Sequence, residues 1–146
     1  MKKDAPLSCL VTGGAGFVGS HLTHALVKSG HRVTVLDNLS NGDIKRLAGV
    51  RGRIRFIKGD IRDAKTLRRA MKGAKIVFHL AAMVSVQESI ENPDDAYAVN
   101  AEAVRLLMET ARRAKVKRVV YASSCAIYGD AGRRAIKESA DARPLS

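Results

Sequence analysis

Three glycines constrain this chain more than any other feature. Leu7 to Thr12 is an apolar run of strand length, and Gly13, Gly16 and Gly19 follow at the spacing G-x-x-G-x-x-G. Phe17, Val18, Leu22, Ala25 and Leu26 then recur at helical steps. Strand, glycine turn and helix in that order restrict what can form. The first glycine permits a tight turn off the strand, the second lets the backbone approach a ligand, and the third lets helix and strand pack closely. Tight turns and close packing alone would account for the glycines, so the reading leans on a second signal. Arg32 to Leu36 reads as the next strand and Asp37 closes it, about 20 residues beyond the glycines, where an acid meets ribose hydroxyls in dinucleotide-binding folds. Phosphates then face the helix N-terminus, with its free N–H groups and positive dipole end.

The rest of the chain alternates strand and helix. Ile54–Lys58, Lys75–Leu80 and Arg118–Ala122 read as the third to fifth strands. The spacing predicts a first helix over Phe17–Ser29 closed by Gly30, and a short helix at Asp43–Leu47. A further helix is capped by Asp63 and carries Leu67, Ala70 and Met71 on one face. Asn92-Pro93-Asp94-Asp95 is a strong helix start, and Ala96, Val99, Ala103, Leu107, Ala111 and Ala114 predict one long helix from there. Five alternating strands imply an α/β fold: a doubly wound parallel sheet of Rossmann type, helices on both faces, in one domain over 1–146.

Ligands in such sheets sit at the carboxyl ends of strands. Those ends here are Asp37-Asn38-Leu39-Ser40-Asn41-Gly42, Gly59-Asp60-Ile61, Ala81-Ala82 and Ser123-Ser124. Asp60 also reads as a plain loop acid, and Ser124 as a residue that satisfies local backbone groups. His31 reads as the start of the second strand and a surface residue. His21 and His24 fall on the exposed side of the first helix, and His79 in the core or the ligand wall. None has a partner at metal-ligand spacing, so no metal site is expected. Cys9 and Cys125 lack a C-x-x-C pattern and read as reduced core thiols.

Charge bears on partners. Lys plus Arg number 26 against 14 Asp plus Glu, a net +12. Such an excess favours anionic ligands. The basic residues are scattered, among them Arg51, Arg53, Arg55, Arg68, Arg69, Arg112, Arg113, Arg133 and Arg134, and aromatics are 4%. They read as solvated faces, with no specific nucleic-acid partner. No apolar run reaches the roughly 18 residues of a membrane helix. Lys2 and Lys3 precede an apolar run that stops at the glycines, which does not make a signal peptide. The expectation is a cytoplasmic protein with no membrane partner.

Five segments carry a resemblance. TGGAGFVGSHL at 12–22, LDNLSNG at 36–42, GDIRD at 59–63, FHLAA at 78–82 and YAVNAEAVRLLMETARRAKVKRVVYASSCAIYGD at 97–130 resemble the extended short-chain dehydrogenase/reductase family, in its nucleotide-sugar epimerase and dehydratase branch. The resemblance implies NAD as cofactor. Gly13, Gly16, Phe17, Val18 and Gly19 would hold the pyrophosphate, and Asp37 the adenosine ribose. Asn38, Leu39, Ser40, Asn41 and Gly42 would border the adenine side, and Asp60 and Ile61 would flank the adenine. Leu80, Ala81, Ala82, Met83 and Val84 would line the nicotinamide half, with Asn100 nearby. Ser124 matches the family's catalytic Ser/Thr, four residues before Tyr128. Asp37 disfavours a 2′-phosphate, hence NAD over NADP.

Two departures qualify the likeness. Met83 and Val84 stand where some epimerases carry a Lys. No Tyr-x-x-x-Lys occurs: Ala101, Cys125 and Gly132 stand four residues after Tyr97, Tyr121 and Tyr128. The family's Tyr is its acid/base and follows a segment like 143–146 almost at once. The resemblance therefore implies the N-terminal part of a longer enzyme, inactive by itself, ending before the catalytic Tyr/Lys helix and the sugar-nucleotide domain. It further implies a UDP-sugar substrate and a homodimer at full length. The expected activity is NAD-dependent epimerisation of a nucleotide-sugar, with a dehydratase, a non-catalytic NAD-binding regulator and a basic nucleic-acid-binding domain as alternatives.

Overall fold

A computed structural model describes residues 5–130, 132 and 135–145. Lys2, Lys3, Arg133, Arg134 and Ser146, singled out above, lie outside them. Five strands, β1 (Ser8–Thr12), β2 (Arg32–Asp37), β3 (Ile54–Lys58), β4 (Ile76–His79) and β5 (Arg118–Tyr121), form one sheet in the order β3-β2-β1-β4-β5. Every pairing is parallel. The order reverses between β1 and β4, and a doubly wound sheet places its ligand crevice at that reversal, outside the carboxyl ends.

Alternate residues feed two cores. Leu10, Leu36, Ile57 and Val77 pack on one face with Leu67 and Met71 of α2 (Ala64–Met71) and Leu107 and Ala111 of α5 (Ala103–Arg113). Val11, Val33 and Val35 pack on the other with Val27 of α1 (Phe17–Lys28) and with Leu47 and Val50. Burial on both faces explains why the centres of β1 and β4 are short, unbroken apolar runs. The edge strand β5 is less covered, with Val120 and Tyr121 exposed.

The elements differ from the periodicity in four places. The short helix after β2 is a 3-10 segment, Ile44–Arg53, capped by Asp43, whose side chain accepts from the N–H of Lys45. A helix absent from the expectation, α3 (Val86–Glu91), is capped by Ser85, which accepts from the N–H of Glu88. Its signal was the capping pattern S-x-x-E over 85–88. The single long helix is three pieces: α4 (Pro93–Tyr97), a π-helical turn over Ala98–Glu102, and α5. The backbone stays helical throughout, so the apolar spacing persisted and hid the wide turn. Finally, His31 precedes β2 and is half-buried, its Nδ1 accepting the N–H of Leu7 at 3.2 Å.

Cys9 is buried, and burial pushes its thiol up from the ordinary value. Cys125 is exposed, which corrects its reading as a core thiol. It lies beyond β5, at the start of the turn over Cys125–Tyr128.

Candidate functional site

The turn from β1 into α1 is held first by backbone hydrogen bonds. Gly13 donates to the carbonyl of Leu36 at 2.9 Å, and Gly16 donates to that of Gly13 at 3.1 Å. Gly13 has φ +67°, and a Cβ there would meet Ala81 N at 2.7 Å. The turn is therefore wedged against the exit of β4. A Cβ on Gly19 would come within 2.1 Å of the carbonyl oxygen of Gly13. α1 sits on the turn at a distance only hydrogen permits.

The N-cap of α1 is Gly16, which has no side chain to cap with, and its first turn carries no acid. The first-turn N–H groups of a helix have no intrahelical acceptor. Phe17 and Val18 are 72% and 62% exposed, so this end of the helix opens to solvent. Uncapped, uncountered donors with a positive dipole end suit an anion.

Asp37 stands beside this turn, 7% exposed at the end of β2. One carboxylate oxygen accepts the N–H of Ala15 at 2.8 Å and the other that of Leu39 at 2.8 Å. Each oxygen retains acceptor capacity, so the carboxylate ties the glycine turn to the 38–42 loop and can still take ribose hydroxyls. A Cβ on Gly42 would fall 2.7 Å from Asp37 Oδ1, so the loop folds back onto the acid. Asn38 reaches onward: its Nδ2 donates to Asp60 Oδ2 at 3.2 Å. Its Oδ1 accepts from the N–H of Ser40.

Asp60 belongs to a network that the sequence reading missed. Arg62 donates to it from Nε at 3.0 Å and Nη2 at 2.9 Å, and from Nη1 to Asp95 at 3.0 Å. The Arg62 guanidinium holds the Asp60 carboxyl below its usual range. The D-x-R spacing in 60–62 was the available signal. Ile61 is corrected in one respect. Its side chain is 6% exposed and packs in the core with Leu36 and Leu67, so only its main chain can meet a ligand.

At the exit of β4, Thr12 and His79 are register partners on β1 and β4. Thr12 Oγ1 lies 2.7 Å from His79 Nδ1 and 3.3 Å from the backbone nitrogens of Leu80 and Ala81. The Leu80 and Ala81 N–H groups point at the hydroxyl oxygen, Leu80 also donating to the Thr12 carbonyl at 3.1 Å, and the hydroxyl pairs with Nδ1 of a neutral ring. Burial depresses the His79 pKa, in keeping with that neutral form. The triad fixes where the chain leaves β4.

Beyond it, Asn100 accepts the N–H of Met83 with Oδ1 and donates to the carbonyl of Met83 with Nδ2, both at 3.0 Å. Each end of the amide makes one bond to the Met83 backbone, so Asn100 positions the wall and keeps one N–H and one acceptor site. Asn100 sits in the π-helical turn, a feature frequent at functional sites. A cavity of about 390 Å³ lies here, lined by His79, Leu80, Ala81, Ala82, Asn100 and Val104 with Tyr121 and Ala122 from β5. Val84 is 82% exposed and does not line it.

Ser124 is exposed at the end of β5 and caps a 3-10 turn, Cys125–Tyr128, by accepting the N–H of Ala126 at 3.2 Å. Its proton remains free to be donated, and it is not among the cavity-lining residues. The turn carries Tyr128 half-buried four residues on. Among the described residues no group of three His, Cys, Asp or Glu could hold a metal ion, and no helix is long and apolar enough to cross a membrane.

An uncapped helix end, a buried acid at the next strand and a cavity beside the sheet's reversal define a Rossmann-type dinucleotide-binding domain. Residues 9–146 match the NAD dependent epimerase/dehydratase family, and the chain belongs to it. The UDP-glucose 4-epimerase of Neisseria meningitidis serogroup C is 44% identical over 130 residues, which are 85% of this chain and 38% of that protein. A UDP-glucose 4-epimerase from Brucella ovis, solved in complex with NAD, superposes with TM-score 0.83 at 36% identity over 95% of this chain and 42% of its own. A dTDP-glucose 4,6-dehydratase from Streptomyces venezuelae, solved with NAD bound, gives TM-score 0.84 at 36% identity over 94% and 46%. The chain thus spans less than half the length of each of these proteins.

Proposed function

We propose that these 146 residues bind NAD and form the cofactor-binding layer of a nucleotide-sugar epimerase acting on a UDP-sugar, homodimeric as a whole enzyme. One observation carries the reading: the open N-terminus of α1 lies next to a carboxylate that already grips Ala15 in the same turn. The residues fit the cofactor. The cradle between Gly13 and Gly19 has no room for side chains, and the donors above it lack an acidic or side-chain competitor.

NAD, when bound, supplies the hydride acceptor. The chain's own residues do the rest. N–H groups at the start of α1, around Phe17 and Val18, hold the pyrophosphate. Asp37 takes the ribose hydroxyls and, by charge, disfavours a 2′-phosphate. Asn38, Asp60 and the main chain at Ile61 border the adenine, and Leu80 to Met83 wall the nicotinamide half. Ser124 donates its free proton to a substrate hydroxyl. A proton acceptor of the Tyr-x-x-x-Lys kind is not encoded within residues 1–146. The dehydratase reading stays beside the epimerase one, because the dehydratase superposes as well as the epimerases do.

Calorimetric titration tests the reading. The chain should bind NAD at least tenfold more tightly than NADP, and Asp37→Ala should weaken NAD and narrow that gap. Equal affinities for the two cofactors would refute the assignment of Asp37. In a coupled assay with UDP-galactose and NAD, the 146-residue chain should give no turnover, since a positioned base contributes about 10²–10⁴-fold. Turnover abolished by Ser124→Ala would show a base that this reading lacks.

A further inference from the structure

The opposite end of the sheet carries a second concavity. It measures about 330 Å³ and lies at the amino ends of β1, β2 and β3. His31, Arg32, Arg53, Arg55 and Lys72 line it, and no acid does. Among the described residues none of the four Arg and Lys side chains has an acidic partner.

Acids concentrate toward the carboxyl ends of the strands, where Lys58, Arg62 and Lys65 also stand. Acids gather where helices begin: Asp37 and Asp60 end or follow strands, Asp63 caps α2, and Asp94 and Asp95 open α4. The ends of α1, α2 and α5 are basic: Lys28 in α1, Arg68 and Arg69 in α2, Arg112 and Arg113 in α5. Cations there offset the negative ends of helix dipoles, and Arg53 does so directly by donating to the carbonyl of Val27 at 3.0 Å.

Arg32 and Arg55 have no such role, because they stand on strands. Arg32 pairs with Ser8 in the β1–β2 register and Arg55 with Thr34 in the β2–β3 register. All four side chains lie on the face covered by α2. That helix has 8 residues, about 12 Å of rise, and it starts at the far end of the strands. It stops before the amino ends, which leaves Arg55 over open sheet with Lys72 at the helix exit. The Ser8 hydroxyl accepts from Arg32 Nε at 3.1 Å, which orients that guanidinium. The His31 Nδ1 bond to Leu7 makes Nε2 the remaining donor of the neutral ring.

We propose that this concavity is a second anion site, separate from the cofactor cleft, which takes a small phosphorylated ligand through a diphosphate group. Guanidinium forks match phosphate oxygens in pairs, and a cleft lined by one sign of charge focuses the field. The volume, room for about ten waters, suits a diphosphate. No Phe, Tyr or Trp lines it, and its polar lining is dominated by cations, which favours phosphate oxygens.

The test is a titration of the ¹⁵N-labelled chain with inorganic pyrophosphate, followed by amide chemical shifts, with NAD in excess to occupy the glycine turn. Saturable shifts are expected at residues 32–34, 53–55 and 72–74, and sodium chloride at matched ionic strength should not reproduce them. The doubly substituted Arg55→Gln, Lys72→Gln chain should bind at least tenfold more weakly there while its NAD affinity stays unchanged. Both side chains are exposed and lack acidic partners, so a native spectrum is expected. Shifts confined to residues 14–18, or shifts at the amino ends that never saturate and follow chloride equally, would overturn the proposal on the unsubstituted chain alone.

Discussion

Replacing Gly19 by Ala sets two effects against each other. Alanine in a helix interior is favoured over glycine by about 0.8–1.0 kcal/mol, so propensity alone would make the variant more stable. The new Cβ, however, would stand 2.1 Å from the Gly13 carbonyl oxygen, 2.8 Å from Gly14 Cα and 2.9 Å from the Gly13 carbonyl carbon. All three are main-chain atoms. Ordinary contact begins at 3.4 Å, so the turn would have to move by more than an ångström. Its retreat is blocked, because the position of a Gly13 Cβ is already 2.7 Å from Ala81 N. Overpacking of this kind costs about 1–3 kcal/mol. Less the propensity gain, up to about 2 kcal/mol is lost, and at roughly 4 °C per kcal/mol for a chain of this size the melting temperature should fall by up to about 8 °C. NAD affinity should fall more than tenfold, since α1 and the turn can no longer keep their spacing. Gly52→Ala is the control, because nothing lies within 4 Å of its Cβ position. Calorimetric melting and NAD titration of both variants give the answer. A Gly19→Ala chain as stable as the parent, with unchanged NAD affinity, would refute the close-packing argument.

Three further outcomes follow from the site. The His79 pKa is depressed by burial, so the unfolded chain takes that proton first; stability should decline as pH falls below about 6.5, and His79→Gln should flatten this part of a melting-versus-pH curve. The Asp60 pKa is lowered by Arg62, so its contribution is present above about 3.9 and lost as pH falls through the lower folded value; Asp60→Asn should reduce the loss of stability between pH 5 and 3, measured by the same melts, where the curve of an unpaired acid would not change. Asn100→Ala removes two exposed hydrogen bonds to Met83 and should cost only about 1 kcal/mol in stability, while weakening NAD about tenfold in a calorimetric titration; unchanged affinity would remove Asn100 from the positioning of that wall.

The features legible in the sequence are those set by near neighbours along the chain. The glycine turn, the alternation of strands and helices, Asp37 at the close of β2, the cap at Asp63 and the helix start at Pro93 all follow from local spacing, because backbone propensity acts over a few residues. The interactions that shape the site join distant segments. Thr12 meets His79 only because β1 and β4 are neighbours in register, and the sheet order that makes them so skips two intervening strands. Asn38 reaches Asp60, and Arg62 reaches Asp95, across loops that the sheet brings together. The π-helical turn kept the helical spacing of apolar residues, so periodicity could not reveal it, although it seats Asn100 against Met83. Ile61 shares a motif with Asp60, yet packing turns its side chain into the core. The scattered arginines illustrate the same limit. In the sequence they are dispersed surface charge, and a parallel sheet, by aligning every amino end, gathers several of them around one concavity. Propensity and spacing act through contiguous chain, whereas register and burial are properties of the assembled sheet, and so only the tertiary structure could decide them.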